Sequence, residues 1–224
     1  MTDTLIVLPI LLFSVIIHEI AHGAMALRAG DPTAKLSGRL TLNPIPHIDL
    51  VGSIIVPLVS LLTAGQVFIA WAKPVPVNPL NFRRPRFDEL LVAAAGPISN
   101  LILSALCGVI AAGLVLFAGV LGINGGLGEE LLRFLVQMFY LGITLNIVLA
   151  VFNLIPVPPL DGSHVIGAFL PLEAAEAYAR IGFWGVFIIL FLMNVPAFYT
   201  AFMTIVALLR APIMLFLRIV TQAI

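Results

Sequence analysis

Phe13-Ser14-Val15-Ile16-Ile17-His18-Glu19-Ile20-Ala21-His22-Gly23 places the pattern H-E-x-x-H inside a run that is otherwise hydrophobic from Leu5 to Leu27. Residues four apart lie on one face of a helix, so His18 and His22 can grip one metal ion from the same side. Glu19, one residue along, is placed to act on water at that metal. Two imidazoles, a carboxylate and an open position suit a catalytic zinc site better than a closed structural one. About 23 residues of helix rise roughly 34 Å, enough to cross a bilayer. Ionisable groups in such a segment are expensive and need a task or a partner. The plain alternative, two core histidines bonded to neighbours, would leave Glu19 as an unpaired carboxylate in lipid.

The rest of the chain agrees with a membrane setting. Of its 224 residues 61% are hydrophobic and 10% charged, with a mean hydropathy of +1.16; soluble domains carry about 25% charged residues. The formal net charge of zero argues against a nucleic-acid partner. Cys107, the single cysteine, sits in an apolar run and reads as packing. Met1-Thr2-Asp3-Thr4 has no basic n-region, so the first apolar stretch is expected to stay on the protein. There is no internal repeat and no charged block large enough for a second folded domain, so residues 1–224 are expected to form a single membrane-embedded domain.

The first helix is predicted from about Thr4 to Arg28, closed by Gly30 and Pro32. Arg28, Lys35 and Arg39 follow it, so the positive-inside bias puts this end in the cytoplasm and the histidines near that face. Lys35 to Leu42 alternates at its end and reads as a short strand. Asp49 to Leu62 is an apolar helix too short to span, and Lys73-Pro74-Val75-Pro76-Val77-Asn78-Pro79 allows only extended chain. Arg39 on one flank of this unit and Arg83, Arg84 and Arg86 on the other favour a re-entrant hairpin over residues 49–80. A long helix is predicted from Phe87 to about Leu121, with Ala93-Ala94-Ala95-Gly96-Pro97 small enough for a neighbouring helix to come close. The next runs from Glu129 to about Leu154 and breaks at Asn153-Leu154-Ile155-Pro156-Val157-Pro158-Pro159-Leu160-Asp161-Gly162. An apolar helix follows to about Met193. The last segment is expected to end its span near Arg210, which would snorkel and leave residues 211–224 as an interfacial tail.

A metal on His18 and His22 needs a third protein ligand, and His47, His164, Asp49 and Asp161 are the candidates. Asp161 is best placed, in a proline-broken segment at the cytoplasmic end of a span; Asp-Gly is also a common turn former. His47 and His164 read more readily as ordinary interfacial histidines.

The motifs together resemble the site-2 protease family of intramembrane zinc metalloproteases. His18-Glu19-Ile20-Ala21-His22 and Asn153 through Gly162 carry the resemblance, and Ala95-Gly96-Pro97-Ile98-Ser99-Asn100 is similar to the family's third landmark. The stretches from Gly38 to Pro44 and from Trp71 to Pro79 resemble its compact branch without PDZ or CBS modules. The resemblance implies one Zn2+ per chain on His18, His22 and Asp161, Glu19 as general base, and Asn153 near the substrate backbone. The expected fold is an all-α polytopic membrane protein of about five to six transmembrane helices, with a re-entrant hairpin and a short β-strand element near the active site. The expected activity is endoproteolysis in or near transmembrane segments of membrane-protein substrates, in the plasma membrane and nearer its cytoplasmic face. The rivals are a non-proteolytic zinc-binding escort protein, which would tolerate loss of Glu19, and a metal or proton transporter, which tends to show paired broken helices in two similar halves.

Overall fold

The computed structural model describes residues 2–55, 58–59, 72–123 and 125–222. Eight α-helices can be labelled along these residues: α1 Thr2–Ala29, α2 Thr33–Leu36, α3 Pro85–Leu121, α4 Gly126–Asn153, α5 Asp161–Gly167, α6 Leu172–Ala179, α7 Gly185–Asn194 and α8 Pro196–Gln222. Four stretches are long and apolar enough to cross a membrane, namely Pro9–Ala29 of α1 together with α3, α4 and α8. The count rises to five if α6 and Gly182–Asn194, bent by 66° to one another, form one span. The described residues thus make a polytopic helical protein with four or five candidate spans; the sequence suggested about five to six for the whole chain. Residues 60–71, in the middle of the expected re-entrant hairpin, lie outside the described residues.

The chain divides into two compact units, Leu12–Gly96 and Met1–Leu11 with Pro97–Ile224. In the first, α1 ends where the sequence places its stop, and the reason is visible. Gly30 takes φ +115°, its N–H bonds Leu27 O at 3.2 Å, and Asp31 N–H reaches back to Ala26 O at 2.8 Å. That pair of bonds is a Schellman cap, which uses carbonyls the helix cannot satisfy itself. Ala26, Ala29, Phe82 and Val92 bury one apolar cluster of this unit against Met25 and Val77.

The short strand expected over Lys35 to Leu42 is absent, and among the described residues there is no strand at all. Asp31 explains the difference. Its Oδ1 accepts from Thr33 N–H at 3.1 Å and from the Thr33 hydroxyl at 2.5 Å, which starts α2 and bonds Leu36 N–H to Pro32 O at 2.9 Å. Gly38 at φ +65° then turns the chain, and Arg39 folds inward so that its Nη2 donates to Lys73 O at 2.5 Å. Polar and apolar residues alternate here because they serve a helical turn and a buried arginine, not a pleat.

The same aspartate ties distant chain together. Asn78 N–H donates to Asp31 Oδ2 and Asn81 Nδ2 to Oδ1, each at 2.7 Å. Burial alone would push its carboxyl up, but the donors from Asn78, Thr33 and Asn81 outweigh that and hold it below the usual carboxylate range.

The second unit is a helical pack. Helix α8 lies against α4 and α7. Cys107, Ala111, Ile143, Ile147, Val151, Phe202, Val206 and Leu217 form its buried core, and the cysteine is packing, as its setting suggested. Helices α3 and α4 meet through small and polar residues: a Cβ on Gly142 would stand 2.9 Å from Cys107 Sγ. Asn100 Nδ2 donates to Asn146 Oδ1 at 2.9 Å, Asn146 Nδ2 to Gly142 O at 2.9 Å, and the Ser104 hydroxyl to Ile143 O at 2.9 Å. Such bonds serve where apolar burial cannot drive helices together.

Arg210 does not end the last helix. Helix α8 continues unbroken from Pro196 to Gln222, through both Arg210 and Pro212. Arginine is a good helix former, and its long apolar stem carries the charge away without disturbing the backbone.

Candidate metal centre

On α1 the two motif histidines face one another. Their rings meet edge to face, with centroids 4.6 Å apart and planes at 83°, and their Nε2 atoms are 3.0 Å apart. Two nitrogens each about 2.05 Å from a tetrahedral zinc would stand roughly 3.3 Å apart. His22 Nδ1 lies 2.7 Å from Val92 O on α3, and a carbonyl can only accept, so the ring proton sits on Nδ1. The lone pair is therefore on Nε2, the atom that faces His18. A backbone carbonyl fixing the ligand's tautomer is the usual outer support of a metal-binding histidine.

The space in front of these nitrogens is kept open by Gly96. A Cβ there would lie 2.4 Å from His22 Nε2 and 2.6 Å from His18 Nε2, closer than real side chains come. Glycine costs a helix interior about 0.5–1 kcal/mol relative to alanine, and here the missing side chain leaves room beside both Nε2 atoms. From sequence the small run Ala93 to Gly96 suggested a close neighbouring helix; the structure shows that the neighbour of Gly96 is the histidine pair. The donor set and the open space fit a zinc ion, with His18 and His22 as the residues that would hold it.

Glu19 points to the extended chain. Its Oε2 accepts from Val75 N–H at 2.7 Å, across 56 residues of sequence. No local signal marks Val75 as a partner, although the prolines on either side make its N–H conspicuous in retrospect.

The remaining sequence candidates fall as follows. Asp161, in the second unit, is the first residue of α5. Gly162 beside it does more than turn the chain, because a Cβ there would meet Leu154 O at 2.3 Å. Asn153 closes α4, and its Nδ2 donates to Leu149 O of its own helix at 3.0 Å. Asp49 Oδ1 accepts from Gly52 N–H at 2.6 Å at the start of the π-helical turn Leu50–Ile55. His47 is buried with Nε2 3.0 Å from Thr41 O, and His164 is exposed on α5.

A helix that presents paired imidazoles and an adjacent glutamate from within an apolar segment defines a membrane-embedded metalloprotein. Residues 6–193 match the family model described as peptidase family M50, and the chain belongs to that family, the one its motifs resemble. It is 41% identical over 193 residues to "Putative zinc metalloprotease YwhC" of Bacillus subtilis (strain 168), covering 81% of this chain and 77% of that one. It is 28% identical over 190 residues to "Putative zinc metalloprotease Rip2" of Mycolicibacterium smegmatis, covering 83% of this chain and 65% of that one. A Rip2 of the same description from Mycobacterium tuberculosis (strain ATCC 25618 / H37Rv) is 29% identical over 168 residues, covering 75% of this chain and 58% of that one. No solved structure matches the chain. Family and names support a zinc metalloprotease, and the apolar helices fit a multi-pass membrane protein.

Proposed function

We propose that this chain is an intramembrane zinc endopeptidase that cuts peptide bonds in or near transmembrane segments of other membrane proteins. One observation carries the reading: two histidine Nε2 atoms 3.0 Å apart, on a bilayer-length helix, with glutamate as the next residue after the first of them. A soluble zinc protease needs no such apolar ligand helix. In lipid, the ionisable groups are costly unless they serve a task.

In this reading His18, His22 and Asp161 hold one zinc ion per chain. Asp161 enters through the family resemblance and through its place directly after the proline-broken segment 154–160. Bound zinc would polarise the scissile carbonyl and lower the pKa of a water to about 7. Glu19, held through Oε2 by Val75 N–H, would take a proton from the attacking water on Oε1 and hand it to the leaving amine. The bond from His22 Nδ1–H to Val92 O would fix the ring and leave Nε2 as the nitrogen able to hold a metal. Asn153 spends its NH2 on Leu149 O and keeps its amide oxygen for a substrate N–H. Pairing of substrate with a strand at Lys35 to Leu42 is no part of this reading, because that segment forms no strand.

In this reading the basic residues Arg28 in the last turn of α1 and Lys35 and Arg39 beyond it favour a site nearer the cytoplasmic face, with the plasma membrane as the setting. The test is cleavage of a panel of single-span proteins in vesicles by wild type and by Glu19→Gln. The variant keeps the side-chain shape and the zinc but cannot accept the proton. Cleavage should fall by about three orders of magnitude or more, the scale of an essential general base. Equal cleavage by both proteins at equal zinc content would refute the protease mechanism and favour an escort role.

A further inference from the structure

The segment Lys73-Pro74-Val75-Pro76-Val77-Asn78 is extended, and its prolines delete alternate backbone donors. Only Lys73, Val75, Val77 and Asn78 retain an N–H. Lys73 N–H donates to His47 O at 2.9 Å and Asn78 N–H to Asp31 Oδ2 at 2.7 Å, so the strap is pinned at both ends. Between these pins, Val75 N–H donates to Glu19 Oε2 at 2.7 Å. Val75 is itself buried, and its Cγ1 lies against Gly23, one residue past His22.

We infer that Val75 is the positioning residue for Glu19: its backbone N–H holds the carboxylate by one oxygen and presents the other toward the space before the histidine Nε2 atoms. This inference rests on the proteolytic reading above, in which Glu19 moves the proton. A glutamate has three side-chain torsions, and the last is broad, so a carboxylate without a fixed donor samples many planes. A short hydrogen bond to a charged acceptor selects one of them. The flanking prolines make that choice unique. If the strap slipped by one residue, it would offer Glu19 the nitrogen of Pro74 or Pro76, neither of which carries a proton. The alternation P-V-P, which from sequence only forbade a regular strand or helix, thus acts as a register lock on the base.

A strap that is only structural predicts that losing any pinned N–H does similar damage. The positioning role predicts a difference between Val75 and Lys73. Val75→Pro, Val75→Ala and Lys73→Pro should be compared with wild type on the single-span protein that wild type cleaves in the panel, with zinc content measured on each. Val75→Pro should lower kcat about 10- to 100-fold, the scale of a misplacement near 1 Å, with KM and zinc content little changed. Val75→Ala, which keeps the N–H but trims the side chain packed against Gly23, should lose clearly less than Val75→Pro, and Lys73→Pro, which loses an N–H that bonds only a carbonyl, should stay within about threefold of wild type. A second measurement needs no turnover: the Val75 amide should be protected from hydrogen exchange in the zinc-free protein and lose that protection in Glu19→Ala. A wild-type kcat in Val75→Pro, equal losses in Val75→Pro and Lys73→Pro, or a Val75 amide as exposed in wild type as in Glu19→Ala would each overturn the inference. Full cleavage by Glu19→Gln would instead overturn the proteolytic reading, and this inference with it.

Discussion

Gly96→Ala separates the demands of the site from those of the helix that carries it. In the middle of α3, alanine should favour helix by about 0.8–1 kcal/mol over glycine. Against this stands the geometry: the new methyl would lie 2.4 Å from His22 Nε2 and 2.6 Å from His18 Nε2. Atoms in ordinary contact stand about 3.5 Å apart, so each ring must retreat by roughly 1 Å. Zinc–ligand distances tolerate only about 0.2 Å. His22 cannot swing aside freely, because its other nitrogen is bound to Val92 O on the same helix as Gly96. Misorienting a ligand in this way weakens metal binding by about 10- to 100-fold, or about 1.4–2.7 kcal/mol. The assay is thermal unfolding of the purified protein in detergent, with zinc and with chelator, alongside zinc titration against a chromophoric competitor. Zinc-free variant and wild type should melt within a few degrees of each other. The stabilisation added by zinc should shrink by the binding deficit, as mass action requires. A variant that binds zinc with wild-type affinity would show that the space beside Gly96 is not where the metal sits.

Other outcomes follow from the same structure. Asp161→Ala should lose most of its zinc while Asp49→Ala retains it, by elemental analysis of the purified proteins; full occupancy in Asp161→Ala would move the third ligand elsewhere. Asp31→Asn turns an acceptor into an NH2 facing a donor, either Asn78 N–H or the Thr33 and Asn81 donors, and should cost about 2 kcal/mol by denaturant unfolding at pH 7. Because the Asp31 carboxyl is held below its ordinary value, the wild-type advantage should be complete above about pH 4 and shrink as pH falls through the lowered native value. Single cysteines beside Arg84 and beside Lys35 should both be labelled by an impermeant reagent only from the cytoplasmic side; labelling from opposite sides would show that residues 49–80 cross the membrane once.

Much of this was legible in the sequence where local chemistry decides. Gly30, Asp31 and Pro32 announce the end of α1 because a left-handed residue and a helix stop need those side chains. The histidine pair is legible because helical periodicity alone brings positions 18 and 22 together. Where distant residues decide, the sequence was silent or misleading. Leu40-Thr41-Leu42 alternates like a strand, yet Arg39 is drawn inward by a carbonyl 34 residues away and Asp31 gathers Asn78 and Asn81. Gly96 looked like one small residue among several, since nothing nearby in sequence says that two imidazoles stand over it.

The buried amide pair of Asn100 and Asn146 has a consequence for how relatives of this chain can vary. Removing either partner alone would strand a polar group inside the helix pack, at a cost of about 1–3 kcal/mol. Replacing both with apolar residues of similar shape would leave nothing stranded and can be close to neutral. Drift at these two positions should therefore be correlated: homologues should carry two polar residues or two apolar ones, with mixed pairs rare. Gly142 stands outside this coupling: Asn146 bonds its backbone carbonyl, which any residue would supply, while a side chain there is excluded by Cys107 Sγ.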